Sequence, residues 1–267
     1  MTQPNMSQIP EEPAPSGALA LAAFEASIAA LVLSMYTAWL GAVAAAVLAA
    51  FHRFGAVPDP TAIWSTVPDW NRQVERLITG LEQIARAGWI EAGRQLGVEI
   101  PFDPTDSILQ DQLARTRNLM VRTPDEVYRR IIDELGAAVA NGETVDQQAA
   151  RVRHVLDVTG TQNWPARART VAVTEVHRAY NMGGTAAALR IQQREAGPRL
   201  LKTWLSKHDS AVRVAHRLAN GQVQFVSQPF VVSGEALMAP GDPNGSPWNV
   251  INCRCKQRFS RGTPSGR

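Results

Sequence analysis

Residues 18–54 read ALALAAFEASIAALVLSMYTAWLGAVAAAVLAAFHRF, and this run decides between a membrane protein and a helical globular one. From Ala26 to Phe51 it holds 26 residues without a charge, longer than the roughly 20 apolar residues that span a bilayer. Its large side chains are nevertheless ordered. Leu21, Phe24, Ile28, Leu31 and Met35 follow in alternating three- and four-residue steps, and Trp39, Val43 and Val47 roughly continue the row. Ala22, Ala26, Ala29 and Ala30 lie to its sides. A bulky stripe between alanine flanks suits a long helix packed closely on neighbours, the preferred reading. Hydropathy alone does not separate that helix from a membrane span. No Lys or Arg precedes the run, so it is not expected to act as a secretory signal.

Working outward, residues 1–17 are polar and carry Pro4, Pro10, Pro13 and Pro15, which predicts a disordered lead. Ala56 to Pro68, with three prolines, ends the first helix. Asn71 to Gly97 repeats a helical pattern, so the two helices are expected to form an antiparallel hairpin. Asp106 to Val121 is a third helical stretch. Thr123-Pro124-Asp125-Glu126 predicts a helix start, with Thr123 as N-cap and Pro124 in the first turn. Thr144 with Gln147 opens another helix, and Asn163-Trp164-Pro165 introduces a long one, Ala166 to about Glu195. After Gly197-Pro198 the texture changes. Leu200 to Leu205 looks like a strand, Ser210 to Ala219 a short helix, and Gln222 to Val232 strand-like segments interrupted by Pro229. Gly234 to Pro247 looks like a loop, and Val250 to Phe259 a strand holding both cysteines.

The expected fold is mainly α, an elongated helical body followed by a small α+β module. Its parts are the lead 1–17, an N-terminal helical region 18–122, further helices 123–196, the α+β module 197–260 and a disordered tail 261–267. The 29.0 kDa mass and 45% hydrophobic content suit a chain that buries a real core. They exclude wholesale disorder and a polytopic membrane protein. Two cysteines exclude a disulfide scaffold. The net charge of +3 hides an asymmetry: residues 1–60 carry −3, 61–198 carry −1 and 199–267 carry +7. A basic C-terminal quarter suits contact with a polyanion or an acidic partner.

That module also concentrates the unusual residues. Cys253 and Cys255 on one strand would point to one face. They could share a soft metal such as zinc, with His216 as a third ligand and Asp209 or His208 as a fourth. The spacing is not that of a zinc knuckle or ribbon, so a pair of half-buried thiols beside a hydrogen-bonded histidine stays open as the plain alternative. Arg213 and His216 share a face of the short helix, and Asp209 at its start reads as its cap.

Taken in order, Lys202-Thr203-Trp204, Asp209, Val212-Arg213, His216, Gly221-Gln222, Pro229-Phe230, Gly234, Pro240-Gly241-Asp242 and Asn252-Cys253-Arg254-Cys255 resemble the phage Mu F-like head morphogenesis domain. Upstream, Ala172-Val173-Thr174-Glu175, Ala179 and Asn181 are similar to a helix of that family, with Val173 where the family usually has Arg. The resemblance runs from about Thr123 to Phe259. It implies a structural minor head protein of a tailed phage, present in few copies, associated with the portal protein inside the virion, and acting in head assembly and DNA packaging or ejection. The resemblance implies no catalytic reaction.

Three function classes follow. A portal-associated structural protein is expected first, assembled in the host cytoplasm, with Arg254, Lys256, Arg258 and Arg261 contacting packaged DNA without reading its sequence. A membrane-active ejection factor would use residues 18–54, which could equally serve self-association. Enzymes come last. A nuclease at Asp209, His216 and the cysteines has too much sulfur for magnesium-type phosphoryl chemistry. A maturation protease lacks a serine paired with His154 or His177.

Overall fold

The computed structural model describes residues 16–54, 58–157, 164–195, 197 and 199–262. The predicted lead up to residue 15 and the tail from residue 263 lie outside them, as does Asn163. Helix α1 (Ser16–Phe54) begins inside the stretch expected to be disordered. A 3-10 helix (Pro60–Thr66) follows, then α2 (Val67–Leu96), α3 (Ser107–Met120), α4 (Thr123–Ala140), α5 (Val145–Leu156) and α6 (Trp164–Arg194). The C-terminal part runs β1 (Leu200–Leu205), α7 (Val214–Ala219), β2 (Val223–Phe225), β3 (Phe230–Val232), β4 (Glu235–Leu237), α8 (Pro247–Val250) and β5 (Lys256–Arg261). Helices followed by a small α+β part is the architecture expected.

Local chemistry explains three helix ends. Asp106 caps α3 by accepting from Ile108 N, and Thr144 with Gln147 forms a reciprocal capping box on α5. Gly97 stops α2 in the left-handed conformation at φ 66°. Thr123 departs from its expected role. It lies inside α4, Arg122 precedes it without a side-chain cap, and the buried Thr123 hydroxyl turns to Tyr36 instead. Tertiary contact displaced the local motif.

Helix α1 is a core element. It buries Leu21, Ile28, Val32, Met35, Tyr36, Trp39, Leu40, Val43 and Val47, while Phe24 and Leu31 are only half-buried. The sequence row has a 3.5-residue step, whereas a straight helix turns every 3.6 residues; the buried face therefore drifts from Leu31 to Val32 and on to Tyr36 and Leu40. An aromatic knot ties α1 to its neighbours. Tyr36 stacks on Trp70 at 5.6 Å and packs against Trp164 at 4.8 Å, and Trp39 packs against Trp70 at 4.9 Å. The Trp39 and Trp70 indoles are satisfied by Thr66 Oγ1 and Met120 O, both at 2.9 Å.

Helix α6 is the axis of the molecule. It packs on α1, α2, α3 and β5, and from Ala172 to Ala188 all residues but Tyr180 are buried. A helix enclosed on all sides shows no amphipathic stripe, which is why its sequence has no clear polar face. It meets α2 backbone to backbone. A Cβ on Gly183 would sit 2.0 Å from Ala85 O, and one on Gly88 would sit 2.0 Å from Tyr180 O.

The strands form two antiparallel units, a sheet in the order β2-β1-β5 and the hairpin β3-β4. In the sheet Leu201 faces Phe225 and Ser260, and Trp204 faces Gln257. The hairpin turns at Ser233-Gly234, both at positive φ. Strand β4 falls within the stretch expected to be a loop. The cysteines correct another expectation: they precede β5 in an irregular turn and lie on no strand. Arg261, assigned to the tail, closes β5.

Candidate functional site

The C-terminal part builds a second, small core of Trp204, Ala219, Phe230, Val232, Leu237, Cys253 and Cys255. Trp204 projects from β1 and meets Phe230 edge-on at 5.3 Å and the His216 ring edge-on at 5.5 Å. Helix α7 turns His216 inward and leaves Val214 and Leu218 on its outer side. Asn252 makes the return. At φ 57° it occupies the left-handed region that Asn tolerates better than most residues. Its N–H donates to Thr174 Oγ1 of α6 at 2.9 Å. The chain thereby doubles back, and both cysteines reach the histidine although no strand alternation aligns them.

His216 Nδ1 lies 3.6 Å from Cys253 Sγ and 3.5 Å from Cys255 Sγ. The three residues are at most 2% exposed, and their ligand atoms all fall within 4.8 Å of one another. On the far side of the ring, His216 Nε2 sits 2.8 Å from Asn249 Oδ1. The Asn249 amide nitrogen donates to Val232 O at 3.2 Å, which fixes the amide's orientation. The imidazole therefore carries a proton on Nε2 and turns Nδ1 to the sulfurs.

The electrostatics are coupled. A hydrogen bond from Cys255, reinforced by His216, holds Cys253 well below the ordinary thiol value, and Cys255 is pushed up as the one that keeps its proton. Burial opposes the imidazolium of His216 most strongly, but the contact with Cys253 and the Asn249 hydrogen bond together raise its pKa.

Asp209 stands outside this triplet. Arg254 takes its carboxylate with two hydrogen bonds of 2.7 and 2.8 Å, and Ala211 N donates to it at 3.1 Å. The Arg254 hydrogen bonds hold Asp209 below the usual carboxylate range. Asp209 caps no helix either, because α7 starts only at Val214. Arg213 reaches across to Ile251 O. His208, the other fourth-ligand candidate, is exposed.

The remaining motif residues bind the module to α6 or shape its loops. Asn181 of α6 donates to Pro240 O at 3.1 Å and to Cys255 O at 3.0 Å. Arg178 donates to Gly241 O at 2.9 Å and pairs with Glu175 at 2.7 Å; Glu175 also accepts from Thr116 of α3 at 2.6 Å. Asp242 accepts from the backbone of Met238 and Asn244 at 2.6 and 2.9 Å, and Gly221 and Gly241 turn at φ 79° and 80°.

The four residues expected to contact DNA have different surroundings. Arg254 is paired as above, and Arg261 binds Glu195 at 2.6 Å and Leu96 O at 3.2 Å. Lys256 is half-buried and lies near Glu91. Arg258 is exposed.

Sequence reading gave no hint of the burial of Lys202. It is 0% exposed, donates to Met238 O at 2.6 Å and lies 4.9 Å from the Phe230 ring centre. Desolvation lowers its pKa to about 7. Strand β1 buries Leu200, Leu201 and Lys202 in succession, so alternation along the strand marks no inner face that would single this lysine out.

Residues 129–258, about half the chain, match the family described as Phage Mu protein F like protein. No curated protein and no solved structure matches.

Proposed function

Given that residues 129–258 form a Phage Mu protein F like domain, we propose that this chain is a structural minor head protein of a tailed phage that docks on the portal protein. It acts in head assembly and in DNA packaging or ejection, resides in the capsid interior near the portal, and assembles in the host cytoplasm. The domain at residues 129–258 makes this a phage head-related protein.

One observation carries the structural reading over an enzymatic one. The motif residues Thr174, Asn181, Gly241, Asn252 and Arg254 are engaged in joining the module to α6 or in shaping it. The His216 cluster, which holds both thiols of the chain, is enclosed. A reaction needs a nucleophile or base that substrate can reach.

A docking role needs apolar surface, and the module has it. Val214 (62% exposed) and Leu218 (82%) project from α7, and Trp248 and Ile251 lie exposed in and just after α8. Exposed aliphatic and aromatic side chains of this size suit protein contact. Co-expression with the portal protein, followed by size-exclusion chromatography, tests this: the chain should co-elute with the portal ring, and Leu218→Glu should release it without loss of helical circular dichroism. A wild-type chain that elutes apart from an intact ring would end the proposal.

Contact with packaged DNA falls mainly to Arg258, since Arg254 and Arg261 already have carboxylate partners. A salt-sensitive duplex-DNA shift, weakened by Arg258→Glu, is expected; no shift at low salt would remove this contact. A second reading, membrane contact during ejection, is supported by α1. Among the described residues it is the helix long and apolar enough to cross a bilayer, with mean hydropathy 1.9 over Ala20–Ala50. Its bulky face is already committed to the core, so flotation of the full chain with liposomes should require unfolding conditions. The small residues left on its outer face would equally serve self-association, which sedimentation of the free chain would detect.

A further inference from the structure

We infer that His216, Cys253 and Cys255 hold a single zinc ion that staples α7 to the 252–255 turn. The first support is spacing. Zinc bonds of about 2.3 Å to sulfur and 2.0–2.1 Å to nitrogen, at tetrahedral angles, set nitrogen–sulfur edges of about 3.6 Å. The two such edges here are 3.6 and 3.5 Å. An ion could be seated among these atoms with little movement.

The second support is the outer shell. Histidine ligands of zinc almost always donate their other ring N–H to a fixed acceptor, which sets the tautomer and aims the ligating lone pair. Asn249 does this for His216 at 2.8 Å, is itself 0% exposed, and is oriented by Val232 O. The buried Trp204 indole N–H has no acceptor within hydrogen-bond limits and lies beside Cys255.

The third support is charge. Two thiolates, a neutral imidazole and a dipositive ion sum to zero, which is the form a closed apolar shell tolerates best. Softness of the donors favours zinc over magnesium or calcium. Among the described residues no fourth side chain joins the set, so the remaining position falls to a water or another small exogenous ligand. The role is structural. The stapled turn also carries Asn252 N and Cys255 O, the two groups that hydrogen-bond to Thr174 and Asn181 of α6. An ion here would stiffen the grip of the module on the central helix. The inference stands whether or not the chain docks on a portal.

Elemental analysis of the full-length chain, purified from zinc-supplemented medium, tests it. One zinc per chain is expected, lost in Cys255→Ser and in His216→Asn and retained in Asp209→Asn. Asn249→Ala should weaken zinc affinity about 10- to 100-fold in competition with a chromophoric chelator. Should the triad variants fail to fold, cobalt exchanged into the wild-type chain supplies the second measurement, and a thiolate-to-cobalt charge-transfer band should grow in step with bound cobalt. The inference is overturned by wild-type protein without stoichiometric zinc, by zinc retained in the folded triad variants, by bound cobalt without the thiolate band, or by a Cys253–Cys255 disulfide.

Discussion

Two side chains in the module show how far a single residue can depart from what its neighbours in sequence suggest. Lys202 sits on β1 with its ammonium enclosed, its pKa lowered to about 7 by desolvation. Between about pH 7 and the ordinary lysine value near 10.5, the unfolded chain binds this proton and the folded chain does not. The position therefore adds stability as pH rises through that window and costs stability below pH 7, where a charged ammonium must be buried. Lys202→Met should flatten that part of the stability-versus-pH curve in urea titrations. Asn252 is the second case. Its left-handed φ of 57° accepts glycine readily. A β-branched residue there is strained by roughly 1–2 kcal/mol. Asn252→Gly should thus keep the wild-type denaturation midpoint closely, while Asn252→Val should lower it. Equal midpoints for the two would mean the turn is not held in this conformation.

At the scale of elements, the crossing of α2 and α6 decides how close the body can pack. Glycine inside a helix ordinarily weakens it, and replacing an exposed one by alanine gains about 0.5–1 kcal/mol. Gly136 of α4, exposed and with open space where a Cβ would project, should follow that rule. Gly183 should reverse it, because its Cβ would be driven into Ala85 O at 2.0 Å. Overpacking of this kind costs about 1–3 kcal/mol or more. Gly136→Ala and Gly183→Ala are therefore expected to shift the thermal midpoint in opposite directions. Two shifts of the same sign would refute backbone contact between these helices. Helix α1 obeys the same packing logic. Its charge-free length is that of a membrane span, but its buried residues recur at the 3.6-residue period of a helix packed on one side.

For the molecule as a whole, the coupling of body to module runs through α6. Glu175 binds Arg178 and Thr116, and Arg178 continues to Gly241 in the module. Removing one partner of a buried ion pair strands the other and costs about 3–5 kcal/mol. Glu175→Ala should therefore destabilise helices and module together, so that far-ultraviolet dichroism and tryptophan fluorescence report one coincident, earlier transition. Separate transitions would show that the module folds on its own.

Much of this was legible from sequence because it is local chemistry. The cap of α5, the glycine stop of α2, the first strand and the texture change near residue 197 follow from hydrogen bonding and hydrophobic period within a few residues. The ordered motif from Trp204 to Cys255 was legible as a family resemblance, and the residue types of His216 and both cysteines marked a candidate metal cluster. The site was misread where distance along the chain intervened. Asp209 looked like a cap and a ligand, yet Arg254, 45 residues away, claims its carboxylate. The cysteines looked like neighbours on a strand, yet a left-handed Asn252 and a hydrogen bond to Thr174 bring them round. What residue order determined by itself was the helical body and the first strand, the charge asymmetry and the family of residues 129–258. What only the tertiary structure decided was which polar groups meet, because burial makes each one find a partner and the partner is chosen by packing.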